Sequence, residues 1–183
     1  MFNNDIYDLA GVRFDIDELV AACAEVLSVS EEHEGELVNA VSLTKMPDSA
    51  EIDRRGIFWI KNEDYAEEQR EKHVDESKYT ELAPVVRGTY LEKVIEELRG
   101  YFKLGRVRLL TLNPRNSLSF HRDPEPRVHV PIISNPGSLV IVGDFCTHLP
   151  ADGCAYYMNT KKYHTALNGG ESVRVHLVAT ILD

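Results

Sequence analysis

Toward the carboxyl end of the chain, apolar and polar residues alternate with a period of two over several short runs. That period sends successive side chains to opposite faces of a β-strand. Val173, Val175, Leu177, Ala179 and Ile181 form one apolar row, while Ser172, Arg174, His176 and Thr180 share the other with Val178. The segment Arg127-Val128-His129-Val130-Pro131-Ile132-Ile133 divides in the same way, with Arg127, His129 and Pro131 opposite Val128, Val130 and Ile132. An apolar row this complete has to be covered by other elements, so the arginine-bearing row either faces solvent or lines a polar cavity. A cavity with cationic walls accounts for both strands at once.

The alternation predicts strands over 107–112, 118–121, 127–133, 138–142, 154–158, 164–167 and 173–182. They are broken by turn-forming stretches at Asn113-Pro114, Asn135-Pro136-Gly137, 150–153 and Asn168-Gly169-Gly170. Short, evenly spaced strands of this kind predict a sandwich or jelly roll. The first half reads differently. Ile16, Leu19, Val20, Cys23, Val26 and Leu27 recur at helical spacing behind Asp15 and Glu18, which resemble a capping box, and predict a helix over 16–28. Thr89 and Glu92 repeat the signature ahead of Leu91, Val94, Ile95, Leu98, Tyr101 and Phe102, a stripe that stops near Gly105. These helices would cover the apolar strand rows. Residues 56–60 read as a short strand. The strongly charged stretch 61–80, with Tyr65, Arg70, His73 and Tyr79, reads as a solvated helix or loop, or as a mobile flap over the cavity mouth. The expected fold is mainly β with flanking α-helices in a single domain, 1–183. Residues 1–105 would be a helical scaffold and possible lid, and 106–183 the β core.

Composition narrows the function. With 183 residues, 43% of them hydrophobic, the chain can bury one sizeable core. Its net charge of -10 argues against a nucleic-acid backbone as partner. No run approaches the roughly 20 apolar residues that span a bilayer, and the amino terminus lacks a basic segment followed by an apolar one, so no membrane association and a cytoplasmic location are expected. Cys23, Cys146 and Cys154 lack paired metal spacing and read as reduced, structural thiols. Oligomeric state leaves no mark in the pattern.

His121-Arg122-Asp123 carries the most chemistry. If that segment is extended, His121 and Asp123 project from one face and converge on a cation. His164 lies in a second extended segment, and Arg174 follows it ten positions later. Two imidazoles and one carboxylate make the facial triad that holds non-haem Fe(II) while leaving positions open for a co-substrate and O2. An anion is the natural occupant of a cationic cavity, and a guanidinium grips a carboxylate through two parallel hydrogen bonds. Such bonds contribute about 1.5 to 3 kcal/mol each, enough to select a dicarboxylate. His129 shares a strand face with Arg127 and is a cavity candidate. His176 reads as a hydrogen-bonded core residue, and His33, His73 and His148 as structural or surface residues.

The run 106–180 resembles the aspartyl/asparaginyl β-hydroxylase-like branch, free-proline hydroxylases included, of the Fe(II)- and 2-oxoglutarate-dependent oxygenases. The likeness rests on His121-Arg122-Asp123, on Arg127-Val128-His129-Val130-Pro131, on His164 through Asn168, and on Arg174-Val175-His176-Leu177-Val178. It implies a cupin-like double-stranded β-helix with iron held by His121, Asp123 and His164. It further implies that Arg174 binds the distal carboxylate of 2-oxoglutarate, and that Arg127 with His129 engages its oxalyl end, the substrate, or both. Some vertebrate members carry a small residue where this chain has Asp123, so a full triad is expected here. Nucleic-acid demethylases of the wider superfamily usually place a second arginine six residues after the co-substrate arginine, where this chain has Thr180. The expected substrate is a small amino acid or an Asp, Asn or Pro side chain of a peptide or protein. A non-redox metal enzyme such as an isomerase, and a metal-free module that binds a carboxylate or sugar, are the other classes compatible with the residues.

Overall fold

The alternating segments form antiparallel strands of two facing sheets in a computed structural model that describes residues 4–29, 38–47, 56–72 and 74–182. His33 and His73 lie outside the described residues. In chain order the first half contributes β1 (Ile6–Arg13), α1 (Ile16–Ser28), β2 (Val38–Ser42), β3 (Thr44–Lys45), β4 (Trp59–Lys61), β5 (Glu67–Gln69), β6 (Glu81–Leu82) and α2 (Tyr90–Arg99). The second half contributes β7 (Leu104–Leu112), β8 (Asn116–Ser117), β9 (His121–Arg122), β10 (Arg127–Ile133) and β11 (Ser138–Val142). It ends with β12 (Phe145–His148), β13 (Cys154–Met158), β14 (His164–Asn168) and β15 (Arg174–Ile181). One sheet has the order β1-β13-β10-β15-β7-β2, and the other runs β12-β11-β14-β9-β4-β5 with β8 also paired to β14. This is the mainly β, two-helix jelly-roll architecture that the strand spacing anticipates.

The two-faced strands decide which sheet surface carries what. Val128, Val130 and Ile132 of β10, Val175, Leu177, Ala179 and Ile181 of β15, and Val107 and Leu109 of β7 share one core with both helices. From α1 come Leu19, Ala22, Cys23 and Val26; from α2 come Leu91, Val94, Ile95 and Leu98. Each of those four α2 side chains is fully buried and contributes about 1.5–3 kcal/mol by leaving water. The opposite face packs between the sheets, where Ile6, Tyr156 and Met158 meet Val140, Val142 and Ala166. Arg127, His129, Arg174, His176 and Thr180 are all buried on that inner side, which settles the alternative left by the sequence in favour of a polar cavity. Register fixes them as rows: Arg127 pairs with Thr180, His129 with Val178 and Pro131 with His176.

The helices match their stripes, with differences at the caps. Asp15 accepts from the backbone N–H groups of Asp17 and Glu18 at 3.0 and 3.1 Å. Its own N–H donates to the Tyr90 hydroxyl at 3.0 Å, the place a capping-box glutamate would take, and this joins α1 to α2. Thr89 does not cap α2, because its hydroxyl donates to the Val86 carbonyl, and Glu92 reaches the Gly88 N–H instead. The helix stops at Arg99, leaving Tyr101 exposed beyond the stripe.

The stretch 61–80 is not a solvated helix. β5 pairs with β4, β4 pairs with β9 through Ile60↔His121, and a short turn at Glu76–Lys78 follows with Glu76 buried. Of the expected strand at 118–121 only His121 lies in one, at the start of β9, and β8 precedes it; between them the Leu118 N–H donates to the Ala166 carbonyl at 2.9 Å. Among the described residues no helix is long and apolar enough to cross a membrane. The cysteines are free, with Cys23 and Cys154 buried and Cys146 exposed.

Candidate metal centre

β9 and β14 place the two imidazoles. His121 and His164 are register partners, and their rings lie 4.3 Å apart between centroids. Asp123 follows β9 directly, and its backbone N–H donates to the Thr160 carbonyl at 2.8 Å, which holds it beside the strand pair. His121 Nε2 is 3.7 Å from Asp123 Oδ1, and His164 Nε2 is 3.9 Å from Asp123 Oδ2. One ligand atom from each of the three residues lies within 4.8 Å of the others.

Tautomers follow from the far side of each ring. His121 Nδ1 lies 2.7 Å from the Ser119 carbonyl, and His164 Nδ1 lies 3.0 Å from the Lys162 carbonyl. A carbonyl only accepts, so each Nδ1 carries a proton, and in the neutral form of each ring Nε2 is left with its lone pair on the side of Asp123. Burial pushes the His164 pKa down to about 4, with the nearby Asp123 charge opposing, so the ring is a neutral donor near pH 7. Two imidazole nitrogens and a carboxylate on one wall suit non-haem Fe(II).

The same wall opens on a cavity of about 350 Å³, within the size range of small-molecule sites. Arg174, Arg108 and His129 line it from the six-stranded sheet, and Ile57 and Phe58 from the segment before β4. Arg174 is almost completely buried, and Nη2 donates to His176 Nδ1 at 2.9 Å. Its Nε has no hydrogen-bond partner, and among the described residues no carboxylate pairs with it. Burial holds its pKa down to about 10, so it remains a cation at neutral pH. A buried cation without a counter-ion is costly, and a bound carboxylate would relieve that cost. His129 and His176 meet edge to face with ring centroids 5.7 Å apart, and burial with the Arg174 charge drives both well below the usual histidine range.

Arg127 also lines the cavity, but its guanidinium is engaged by the protein. Nε donates to Asp123 Oδ2 at 3.2 Å, Nη1 donates to the Thr180 hydroxyl, and Nη1 lies 3.6 Å from Glu76 Oε2. Burial alone would lower its pKa, and the charges of Asp123, Glu76 and Glu125 outweigh that and raise it. Sequence reasoning thus names His121, Asp123, His164, Arg174, Arg127 and His129, and the fold brings all six to one cavity. It missed Arg108 and Glu76. Arg108 was legible as the inward alternate of Val107 and Leu109, whereas nothing in the charged stretch distinguishes Glu76 from its exposed neighbours.

No family model matches the chain, and no curated protein is similar to it in sequence. Solved structures do share its fold. An oxidoreductase of the 2OG-Fe(II) oxygenase family from Burkholderia pseudomallei superposes with a TM-score of 0.59 at 15% identity, over 96% of this chain and 83% of its own. The viral collagen prolyl hydroxylase of Paramecium Bursaria Chlorella virus-1, solved as a 2OG complex, gives 0.55 at 10% identity over 98% and 96%. IDO from Bacillus thuringiensis gives 0.54 at 10% identity over 98% and 90%. At such identities the likeness establishes the jelly-roll fold, and the chemistry has to be argued from the site.

Proposed function

We propose that this chain is an Fe(II)- and 2-oxoglutarate-dependent dioxygenase that hydroxylates an amino acid, or an Asp, Asn or Pro residue of a peptide or protein, releasing succinate and CO2. The observation that carries the reading is a pairing within one cavity: a buried Arg174 with no acidic partner among the described residues, and a His121, Asp123 and His164 wall whose ligand atoms lie within 4.8 Å of one another. We place it in the aspartyl/asparaginyl β-hydroxylase-like branch, supported by the Arg-x-His pairs at 127–129 and 174–176 on adjacent strands.

His121, Asp123 and His164 would hold the iron, and Arg174 the distal carboxylate of 2-oxoglutarate. Together with O2, the iron and 2-oxoglutarate would supply the oxidising equivalents for hydroxylating an unactivated C–H bond. The chain's own part is to bind, orient and exclude water. Arg174 offers a planar fork of donors that a single ammonium would not match. Neutral His176 accepts from Arg174 and leaves the cationic charge on the guanidinium. Val178 and Leu110 add apolar surface to the cavity lining. A volume of about 350 Å³ favours a small amino acid or one side chain of a peptide beside the co-substrate. The net charge of -10 supports a partner other than nucleic acid, and a cytoplasmic site of action is part of the proposal.

Anaerobic addition of Fe(II) and 2-oxoglutarate tests the reading through a visible charge-transfer band, followed by succinate and mass-gain assays against a panel of amino acids and peptides. Absence of the band with metal bound would favour a non-redox metal enzyme. Carboxylate binding that survives His121→Ala and His164→Ala together would favour a metal-free binding module.

A further inference from the structure

We propose that Glu76 is a positioning residue of the metal centre: its buried carboxylate, acting through Thr180 and Arg127, fixes the orientation of Asp123. This rests on reading His121, Asp123 and His164 as metal ligands.

Glu76 is only 3% exposed, although it comes from the most highly charged part of the sequence. Its turn is held by Asp75, which accepts from the Ser77 backbone N–H at 3.1 Å and from the Ser77 hydroxyl. Oε1 accepts from Arg106 Nη2 at 2.9 Å, and Oε2 accepts from the Thr180 hydroxyl. The polarity of the connection to the metal wall has one solution. Arginine has only donors, so Arg127 Nη1 donates to Thr180 Oγ1, and the single proton of Thr180 is left for Glu76. At the other end Arg127 Nε donates to Asp123 Oδ2 at 3.2 Å. A donor-only guanidinium and one hydroxyl therefore stand between two carboxylates, with every link satisfied.

The arrangement distinguishes Arg127 from Arg174. Among the described residues Arg174 has no acidic partner, whereas Arg127 is tethered at Nη1 by Thr180 and Glu76 and presents Nε to Asp123. Without Glu76, the charge of Arg127 would be shared between Glu125, 3.8 Å from Nη1, and Asp123, the one carboxylate hydrogen-bonded to the guanidinium at Nε, drawing Asp123 toward the guanidinium and away from its imidazole neighbours. The charge state is secure. Burial alone would raise the Glu76 pKa, but Arg127, Arg108 and Arg106 outweigh it and hold the carboxyl down to about 2. Partners of metal ligands tune affinity by about 10- to 100-fold.

The test is Co(II) binding by the intact chain, read by calorimetry and by the visible d–d absorption of the bound ion. Wild type, Glu76→Gln and Thr180→Val are compared, with the surface variant Glu81→Gln as control for loss of one negative charge. Glu76→Gln is expected to weaken Co(II) binding about tenfold or more and to shift the absorption bands, and Glu81→Gln to do neither. Thr180→Val keeps both carboxylates and nearly the same volume, so it decides the matter if Glu76→Gln fails to fold; a shifted spectrum with weaker binding is expected there too. Folded variants that bind Co(II) with wild-type affinity and spectrum would overturn the proposal. A wild-type chain that binds no Co(II) would overturn the metal reading itself, an outcome distinct from a normal wild type with unaffected variants.

Discussion

His121 and His164 face each other in register across the β9–β14 pair, so one hydrogen-bonded ladder sets the separation of the two imidazoles. Each ring is then turned by a carbonyl two residues upstream in its own segment, Ser119 for one and Lys162 for the other. The placement of the two imidazoles is thus built from backbone, which leaves both side chains replaceable without loss of the fold.

His121→Ala and His164→Ala are accordingly expected to fold and to lose metal. The loss of Co(II) or Mn(II) affinity should exceed the roughly 10- to 100-fold that a lost outer partner costs. Calorimetric titration beside a far-ultraviolet circular dichroism spectrum checks both halves. Retained affinity in either variant would remove that residue from the centre.

Arg174 should separate stability from function. Arg174→Lys keeps the charge but not the fork, and is expected to weaken 2-oxoglutarate binding about 10- to 100-fold, from a loss of about 1.5–3 kcal/mol, with metal affinity unchanged. Arg174→Met removes a buried cation that has no acidic partner among the described residues, and should raise the melting temperature of the ligand-free protein while abolishing 2-oxoglutarate binding. A lowered melting temperature for Arg174→Met would show that the cation is already compensated.

The His129 and His176 pair sets a pH dependence. Both folded pKa values lie well below the unfolded value of 6.5, with burial the main cause, so the unfolded chain binds more protons as pH falls. Stability is therefore full above pH 6.5 and declines below it, by about 1.4 kcal/mol per pH unit for each ring once the unfolded form is protonated. Glu76, held down to about 2, adds a loss of the same sign below pH 4.5. Denaturant unfolding of the metal-free protein between pH 8 and 5 checks the direction. A His129→Phe, His176→Phe double variant should reduce the slope to the part left by His164, whose pKa burial pushes down to about 4.

Gly56 offers an indirect route to the charge network. A Cβ at this position would lie 2.6 Å from Glu76 Oε1 and 2.9 Å from Arg106 Nη2, inside contact distance of both. Gly56→Ala is expected to destabilise the fold by about 1–3 kcal/mol. It should also lower Co(II) affinity in the direction of Glu76→Gln. Wild-type values for both would mean that the network tolerates displacement of Glu76.

Periodicity made most of the site legible because the site lies on strands with strict alternation. Knowing that Val128, Val130, Val175 and Leu177 need cover places Arg127, His129, Arg174 and His176 on the reverse face. Where strands are short or irregular the signal fades. β9 pairs over two residues only, and β1 shifts register between Asp8 and Arg13. Glu76 was illegible for a different reason, since its burial depends on Arg106 and Thr180, 30 and 104 residues away. The turn expected at Asn168-Gly169-Gly170 is present, and Gly170 is favoured there by close approach. Neither glycine has positive φ; a Cβ on Gly170 would lie 2.0 Å from Asn135 Oδ1, so a side chain there would have to displace the Asn135 amide.

All eight residues of β15 are buried, four toward the helices and four toward the cavity. Such a strand tolerates only one alignment. Inserting or deleting a single residue within it would drive Arg174 among the leucines under α2 and turn valine and leucine side chains toward His121, Asp123 and His164. Evolutionary changes in length should therefore collect in the turns at 113–115 and 169–173, leaving the strand itself a fixed ruler against which homologous sequences can be aligned.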